Sequence, residues 1–143
     1  MKDAAGLTLE DANKRLPLVR AISRDAKELK ADILMRLKRL QDLRSRKSEN
    51  VKSDSSNAEE ILQVEESIEE DEIRIDELGS ELEEIGAHLM DAETGLVEFS
   101  STLDGEEIRL SWLFDEAEVT HWRSLNESPA NRKPLVLIGQ ESA

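Results

Sequence analysis

The chain has 143 residues, with 33 acidic against 19 basic side chains for a formal net charge of −14, 38% hydrophobic but only 3% aromatic residues, and no cysteine. The length suits one domain, and the missing cysteine excludes disulfides, thiolate nucleophiles and sulfur-based zinc sites. The charge repels phosphate backbones and anionic lipid, so neither nucleic acid nor a membrane surface is an expected partner.

A first helix is signalled by "LTLEDANKRL". Thr8 is placed to cap the free amides of the first turn, Asp11 to return the favour as the reciprocal acid of a capping box, and Glu10 to sit at the positive end of the helix dipole. Pro17 lacks an N–H and clashes one turn back, so a kink or short break is expected near Leu16 and Pro17. Beyond it Val19, Ile22, Ala26, Leu29, Ile33, Leu37, Leu40 and Leu43 recur at spacings of three and four and form one apolar stripe.

Residues 48–57, "SENVKSDSSN", are small, polar and aperiodic, and read as a connection. The next helix carries Ile61, Val64, Ile68, Ile75, Leu78, Leu82 and Ile85 in heptad spacing, interrupted at Asp71, with Gly86 as its stop. A polar residue at a seam position is a register-setting device, and Asp71 is assigned that role. Between Lys14 and Lys47 there are twelve basic and four acidic residues; between Ala58 and Ile85 there are thirteen acidic and one basic. Helices so charged, joined by a short loop, fold back on one another, which predicts an antiparallel, coiled-coil-like hairpin over residues 8–86.

From Gly95 the period changes to two. "GLVEF", "EEIRLSWL" and "EVTHWRSL" predict a three-stranded antiparallel meander over residues 95–125, with a hairpin turn at Asp104 and Gly105. Residues 126–143 form a tail that packs at least through "PLVLI". The fold class is therefore α+β in a single domain spanning 1–143. No apolar run approaches the roughly 20 residues that span a bilayer, the start has no apolar leader region, and the expected address is the cytoplasm.

"LTLEDANKRLPLV", "GAHLMDAETGLVEF", "LSWLFDEAEVTHW" and "NRKPL" together resemble the bacterial family catalogued as domain of unknown function 2203. The resemblance covers the chain apart from its helical middle and implies no activity. Family members usually carry a cysteine and tryptophan pair where this chain has Ser111 and Trp112, and a tryptophan and histidine pair where it has Trp122 and Arg123. If those positions hold a metal elsewhere in the family, this chain has lost both ligands.

Candidate site residues cluster near the C-terminal side. Trp112 and Trp122 are the only tryptophans, and at least one is expected in the core; whether they share a sheet face depends on the parity of the connection between their strands. His88 and His121 are the only imidazoles, and with Asp91, Glu93 and Glu98 they offer metal-capable groups whose spacing matches no ligand pattern. Arg132 and Lys133, before Pro134, are placed to hold an anion or a carboxylate of the body, and a structural salt bridge is the expected role. No phosphate loop, nucleophile elbow or histidine-rich motif occurs, so no catalytic residue, metal or cofactor is assigned. Two readings follow. In the first, the chain is a protein-interaction or scaffold module that dimerises with its own kind through the hairpin. In the second, it is a ligand-binding or enzymatic domain with a pocket between meander and helices, formed by His121, Trp122, Arg132, Trp112 and Asp91.

Overall fold

A computed structural model describes residues 6–49 and 54–135. Helix α1 spans Leu9–Glu49 and α2 spans Asp54–Glu84, followed by strands β1 (Ala87–Asp91), β2 (Leu96–Leu103), β3 (Glu106–Trp112), β4 (His121–Ser124) and β5 (Lys133–Pro134). The strands form one antiparallel sheet in the order β1-β2-β3-β4-β5. The fold is α+β, as expected, and no helix among the described residues is long and apolar enough to cross a membrane.

Helix α1 begins on the anticipated capping box: the Asp11 N–H donates to Thr8 Oγ1 at 3.0 Å and the Thr8 N–H to Asp11 Oδ2 at 3.3 Å. It then runs through Pro17 without a break. The ring lies on the exposed side, one backbone hydrogen bond is forfeited, and Ala12, Leu16 and Val19 on either side are buried in the core and hold the turn in place. The helices are antiparallel: Arg15 Nη1 donates to the Ile85 carbonyl, Arg36 to Asp71, and Asn57 Nδ2 to the Leu43 carbonyl, so numbers rise along one helix as they fall along the other. The connection is shorter than the stretch 48–57, because helix claims residues to Glu49 and from Asp54 onward; residues 50–53 lie outside the described part. α2 ends two residues before Gly86, whose φ of 84° suits a residue without Cβ.

The seam differs in one detail. Leu37 is 44% exposed, and Arg36 takes the inner position between buried Ile33 and Leu40. Ala12, Val19, Ala26, Ile33 and Leu40 recur every seven residues, as do Ile22, Leu29, Arg36 and Leu43, so Arg36 falls on the seam and Leu37 beside it. Arg36 there meets Asp71, the polar interruption of α2, at 2.5 Å, and also donates to the Ser67 carbonyl.

The sheet has five strands rather than three and extends beyond 95–125 at both ends. β1, five residues after a helix stop, is too short to show a period of its own in the sequence. β5 is two residues long and exists only through its pairing with β4. β4 starts at His121, since Glu118, Val119 and Thr120 belong to the connection. The turn at Asp104 and Gly105 is as expected: both have positive φ, 53° and 81°, and Leu103 pairs directly with Glu106, the two-residue hairpin whose twist matches the strands. Of the tail, Leu135 packs against the core, and residues 136–138 lie outside the described part.

One face of the sheet packs on the N-terminal half of α1 and the C-terminal end of α2. Phe99, Val97, Ile108, Leu110 and Trp112 meet Leu16, Val19, Leu78 and Leu82 in a closed apolar cluster. A second, smaller cluster of Ile33, Leu40 and Ile68 lies further along the hairpin, between the helices alone. The domain limits drawn from the sequence are thus refined to a hairpin over 9–84 and a sheet over 87–134.

Candidate functional site

The sheet face turned away from the helices carries the polar chemistry. Register aligns His88 with Glu98, Glu98 with Ser111, Ser111 with His121, and His121 with Pro134, one row across all five strands. Directly opposed residues of an antiparallel pair point to the same side, so this row shares a face. Two members, Glu98 and Ser111, are completely buried.

Glu98 is held by Arg123 of β4. Arg123 Nε donates to Oε2 at 2.6 Å and Nη2 to Oε1 at 2.9 Å, the parallel fork that a planar guanidinium makes with a carboxylate. The remaining nitrogen, Nη1, donates to the carbonyls of Ser124, Leu125 and Glu127, which draws the segment after β4 back over the pair. The hydrogen bonds from Arg123 to Glu98, set against partial burial and supported by the carboxylate charge, raise the guanidinium pKa further.

Beside this pair a second arginine closes the connection between β3 and β4. Arg132 Nε donates to Ser111 Oγ at 2.7 Å, and Nη2 reaches Glu116 Oε1 at 2.6 Å. Glu116 is the hub. Its carboxylate also accepts the Leu113 N–H at 2.9 Å, its Oε2 lies 3.6 Å from His121 Nδ1, and its carbonyl accepts Trp112 Nε1 at 2.9 Å. Partial burial alone raises the Glu116 pKa. The hydrogen bonds from Arg132 and the Leu113 N–H, with the charges of Arg132 and His121, outweigh burial and hold the carboxyl below its ordinary value. From the helix side Arg20 stacks over the Trp112 ring at 5.1 Å and donates to the carbonyls of Phe114, Glu116 and Ala117.

Three of the five residues singled out from the sequence, Trp112, His121 and Arg132, therefore converge on Glu116, which the sequence reading passed over. Trp112 is fully buried. Ser111 pairs with His121, so the connection 112–120 counts nine residues, an odd number, and Trp122 shares the core face with Trp112. There Trp122 is half-buried, packs on the main cluster, and carries the Lys133 ammonium 4.7 Å from its ring centre. Lys133 also pairs with Glu127 at 2.9 Å, so both basic residues before Pro134 meet carboxylates. Asp91 stands apart, in the turn between β1 and β2, where it accepts the Glu93 N–H and the Thr94 hydroxyl. His88 on β1 and His121 on β4 are separated by β2 and β3, and among the described residues no three histidine or carboxylate side chains are placed to hold a metal ion.

A family model described as an uncharacterized conserved protein, DUF2203, matches residues 7–135 of this arrangement, that is both helices and all five strands. The chain belongs to the DUF2203 family. No curated protein and no solved structure matches it. In this DUF2203 member the two departures noted above, Ser111 and Arg123, are not scattered: both adjoin Glu98, one as its cross-strand neighbour and the other as its ion-pair partner. Arg123 thus supplies, from within the chain, the positive charge that the buried carboxylate requires. Its donors are directed at protein acceptors, so the network braces the β3–β4 connection and the segment after β4.

Proposed function

We propose that this DUF2203 protein is an interaction or scaffold module, acting in the cytoplasm, whose working surface is the helical hairpin and whose partner is a second copy of the chain. The observation that carries this reading is the distribution of apolar surface. Leu18, Met35, Leu62 and Ile73 are each more than half exposed, at 53%, 69%, 55% and 54%, and all four stand on the two helices. Leu34, next to Met35 on α1, is half-buried. A groove of about 440 Å³ runs beside Met35 and Val64, flanked by Arg36 and Arg39. Exposed apolar side chains spread along both helices can be covered by a second chain packed along the hairpin. Charge supports a second copy: in a two-fold arrangement the acidic α2 of one protomer lies against the basic α1 of the other, and the four helices pack with coiled-coil-like seams. The alternative, a ligand-binding or enzymatic pocket between meander and helices, has less support where Phe99, Trp112, Leu78 and Leu82 pack together at the centre of that junction.

Sedimentation equilibrium on the full chain tests the reading. A dimer mass at micromolar concentration is expected, and Met35→Glu with Ile73→Glu should give a monomer that keeps the near-ultraviolet dichroism of buried Trp112. A monomer mass persisting at the highest attainable concentration overturns it.

A further inference from the structure

Near its C-terminal end α2 borders a feature that the proposed dimer does not invoke. β1 is the first strand in the sheet order and pairs only with β2, so among the described residues its outer edge carries no neighbour. An edge strand presents alternate N–H and C=O groups outward, ready to pair with another extended chain. Beside that edge lies a groove of about 320 Å³ between α2 and β1, lined by Asp76, Gly79 and Glu83 from the helix and by Leu89, Met90 and Asp91 from the strand. A slot between an edge strand and a helix is the geometry in which peptides are taken up as an added strand, main chain against main chain and side chains against the helix.

Two properties of the slot say what it admits. Glycine inside a helix costs roughly 1 kcal/mol relative to alanine, yet a Cβ at Gly79 would meet nothing within 4 Å, so packing within this chain gives no reason for it. Its effect is to lower the helix wall of the groove and leave room for an incoming side chain. The walls carry three carboxylates, Asp76, Glu83 and Asp91, and no basic residue; among the described residues none of the three has an ion-pair partner. Met90, 42% exposed at the bulge where the β1–β2 register shifts, adds an apolar contact at the strand end.

We propose that the groove between α2 and β1 is a peptide-docking site that accepts an extended, lysine- or arginine-rich segment of a partner protein as a sixth strand. A second copy offering its own β1, Ala87–Asp91, fits poorly, because that strand carries no lysine or arginine to meet these carboxylates. None of the residues lining the groove is among Leu18, Met35, Leu62 and Ile73, but Ile73 lies one turn from Asp76 on the same side of α2, so the experiment must tell the docking site and the dimer apart.

The test uses the full chain and four fluorescein-labelled nonapeptides: one alternating lysine and valine, two forms of it methylated at every second backbone nitrogen, one in each register, and a version with glutamate for lysine. Fluorescence anisotropy gives affinity, and amide hydrogen exchange locates the contact. The lysine–valine peptide should bind and slow exchange of the β1 amides. N-methylation in one register, which removes main-chain donors without changing charge, should weaken binding about tenfold for two lost hydrogen bonds. Gly79→Leu, which fills the slot while favouring helix, should weaken it comparably with unchanged circular dichroism. The glutamate peptide should not bind. Equal affinity for both methylated forms and their parent, protection elsewhere than β1, or indifference to Gly79→Leu would reduce the effect to charge alone and overturn the proposal. Protection of β1 on raising protein concentration without peptide would assign the edge to a second copy and overturn it equally.

Discussion

Glu98 and Arg123, 25 residues apart in sequence, meet through two hydrogen bonds of 2.6 and 2.9 Å on the sheet face opposite the helices, with Glu98 wholly buried. A carboxylate out of water is tolerable only while its partner stays, so the two halves of the pair should respond very differently to loss. Arg123→Met alone, which strands the carboxylate, should cost about 3–5 kcal/mol, whereas Glu98→Met with Arg123→Met should lie within about 2 kcal/mol of the parent. Urea unfolding of the two variants reads this directly. Equal losses would show that the pair contributes through packing rather than charge.

Glu116 should give stability an acid-side slope. Its folded carboxyl titrates below the ordinary glutamate value. A depressed pKa means that the unfolded chain binds the proton more readily, so the contribution is fully present above about 4.3, the unfolded glutamate value, and is lost as pH falls through the folded value. Denaturation from pH 7 to pH 3 should therefore bring Glu116→Gln and the parent closer together in the acid range. A constant gap would place the Glu116 contribution elsewhere than in its charge.

The seam pair makes a separate prediction. Arg36 and Asp71 are partly exposed, at 33% and 23% of their side-chain surface, so solvent screens the pair and its coupling should be about 1 kcal/mol or less in a double-mutant cycle. Its larger effect should be on alignment. With Asp71→Leu and Arg36→Leu together the seam becomes apolar throughout, and disulfide trapping between cysteines placed on the two helices should then recover more than one register.

Ser23 lies inside α1 with no exposed surface, and among the described residues its Oγ has no hydrogen-bond partner. An unpaired hydroxyl out of water is a liability, and serine favours helix less than alanine. Ser23→Ala should raise stability by about 0.5–1 kcal/mol in urea titration, and a loss of more than that would reveal a bond the hydroxyl makes.

A strong chelator should leave the melting temperature unchanged, since β2 and β3 separate His88 from His121, which stands beside Glu116. A fall of several degrees would locate a structural metal in this chain.

What the sequence disclosed, and what it concealed, divides along physical lines. Local signals were readable: the Thr8 and Asp11 box, the Asp104–Gly105 turn and the opposed helix charges each act over a few residues or through a long sum. The stripe of α1 was legible except at Leu37, where a hydrophobic residue stood beside the seam and the charged Arg36 on it; strict seven-residue spacing would have chosen correctly. β1 and β5 were missed because their strand character comes from a neighbour rather than from any period of their own. Of the polar face, Trp112, His121 and Arg132 were found by rarity or position. Glu98 was noted only as a possible ligand beside the histidines, Arg123 only as a departure from family pattern, and Glu116 not at all. In an alternating strand every outward polar residue looks solvated, and nothing local announces that a later loop will cover it.

The placement of the larger core at one end of the hairpin has a consequence for how such proteins can differ in size. Leu16, Val19, Leu78 and Leu82 close on the sheet, while Ile33, Leu40 and Ile68 touch only the opposite helix. The far end can accordingly be shortened or lengthened as a ruler is cut, in steps of seven residues that keep the inner face inward. Antiparallel pairing imposes one rule on the cutting: whatever is removed from α1 must be removed from α2 as well, so that the tip closes again. Reach, about 1.5 Å for each residue pair added, can thus vary among proteins of this build while the sheet stays as it is.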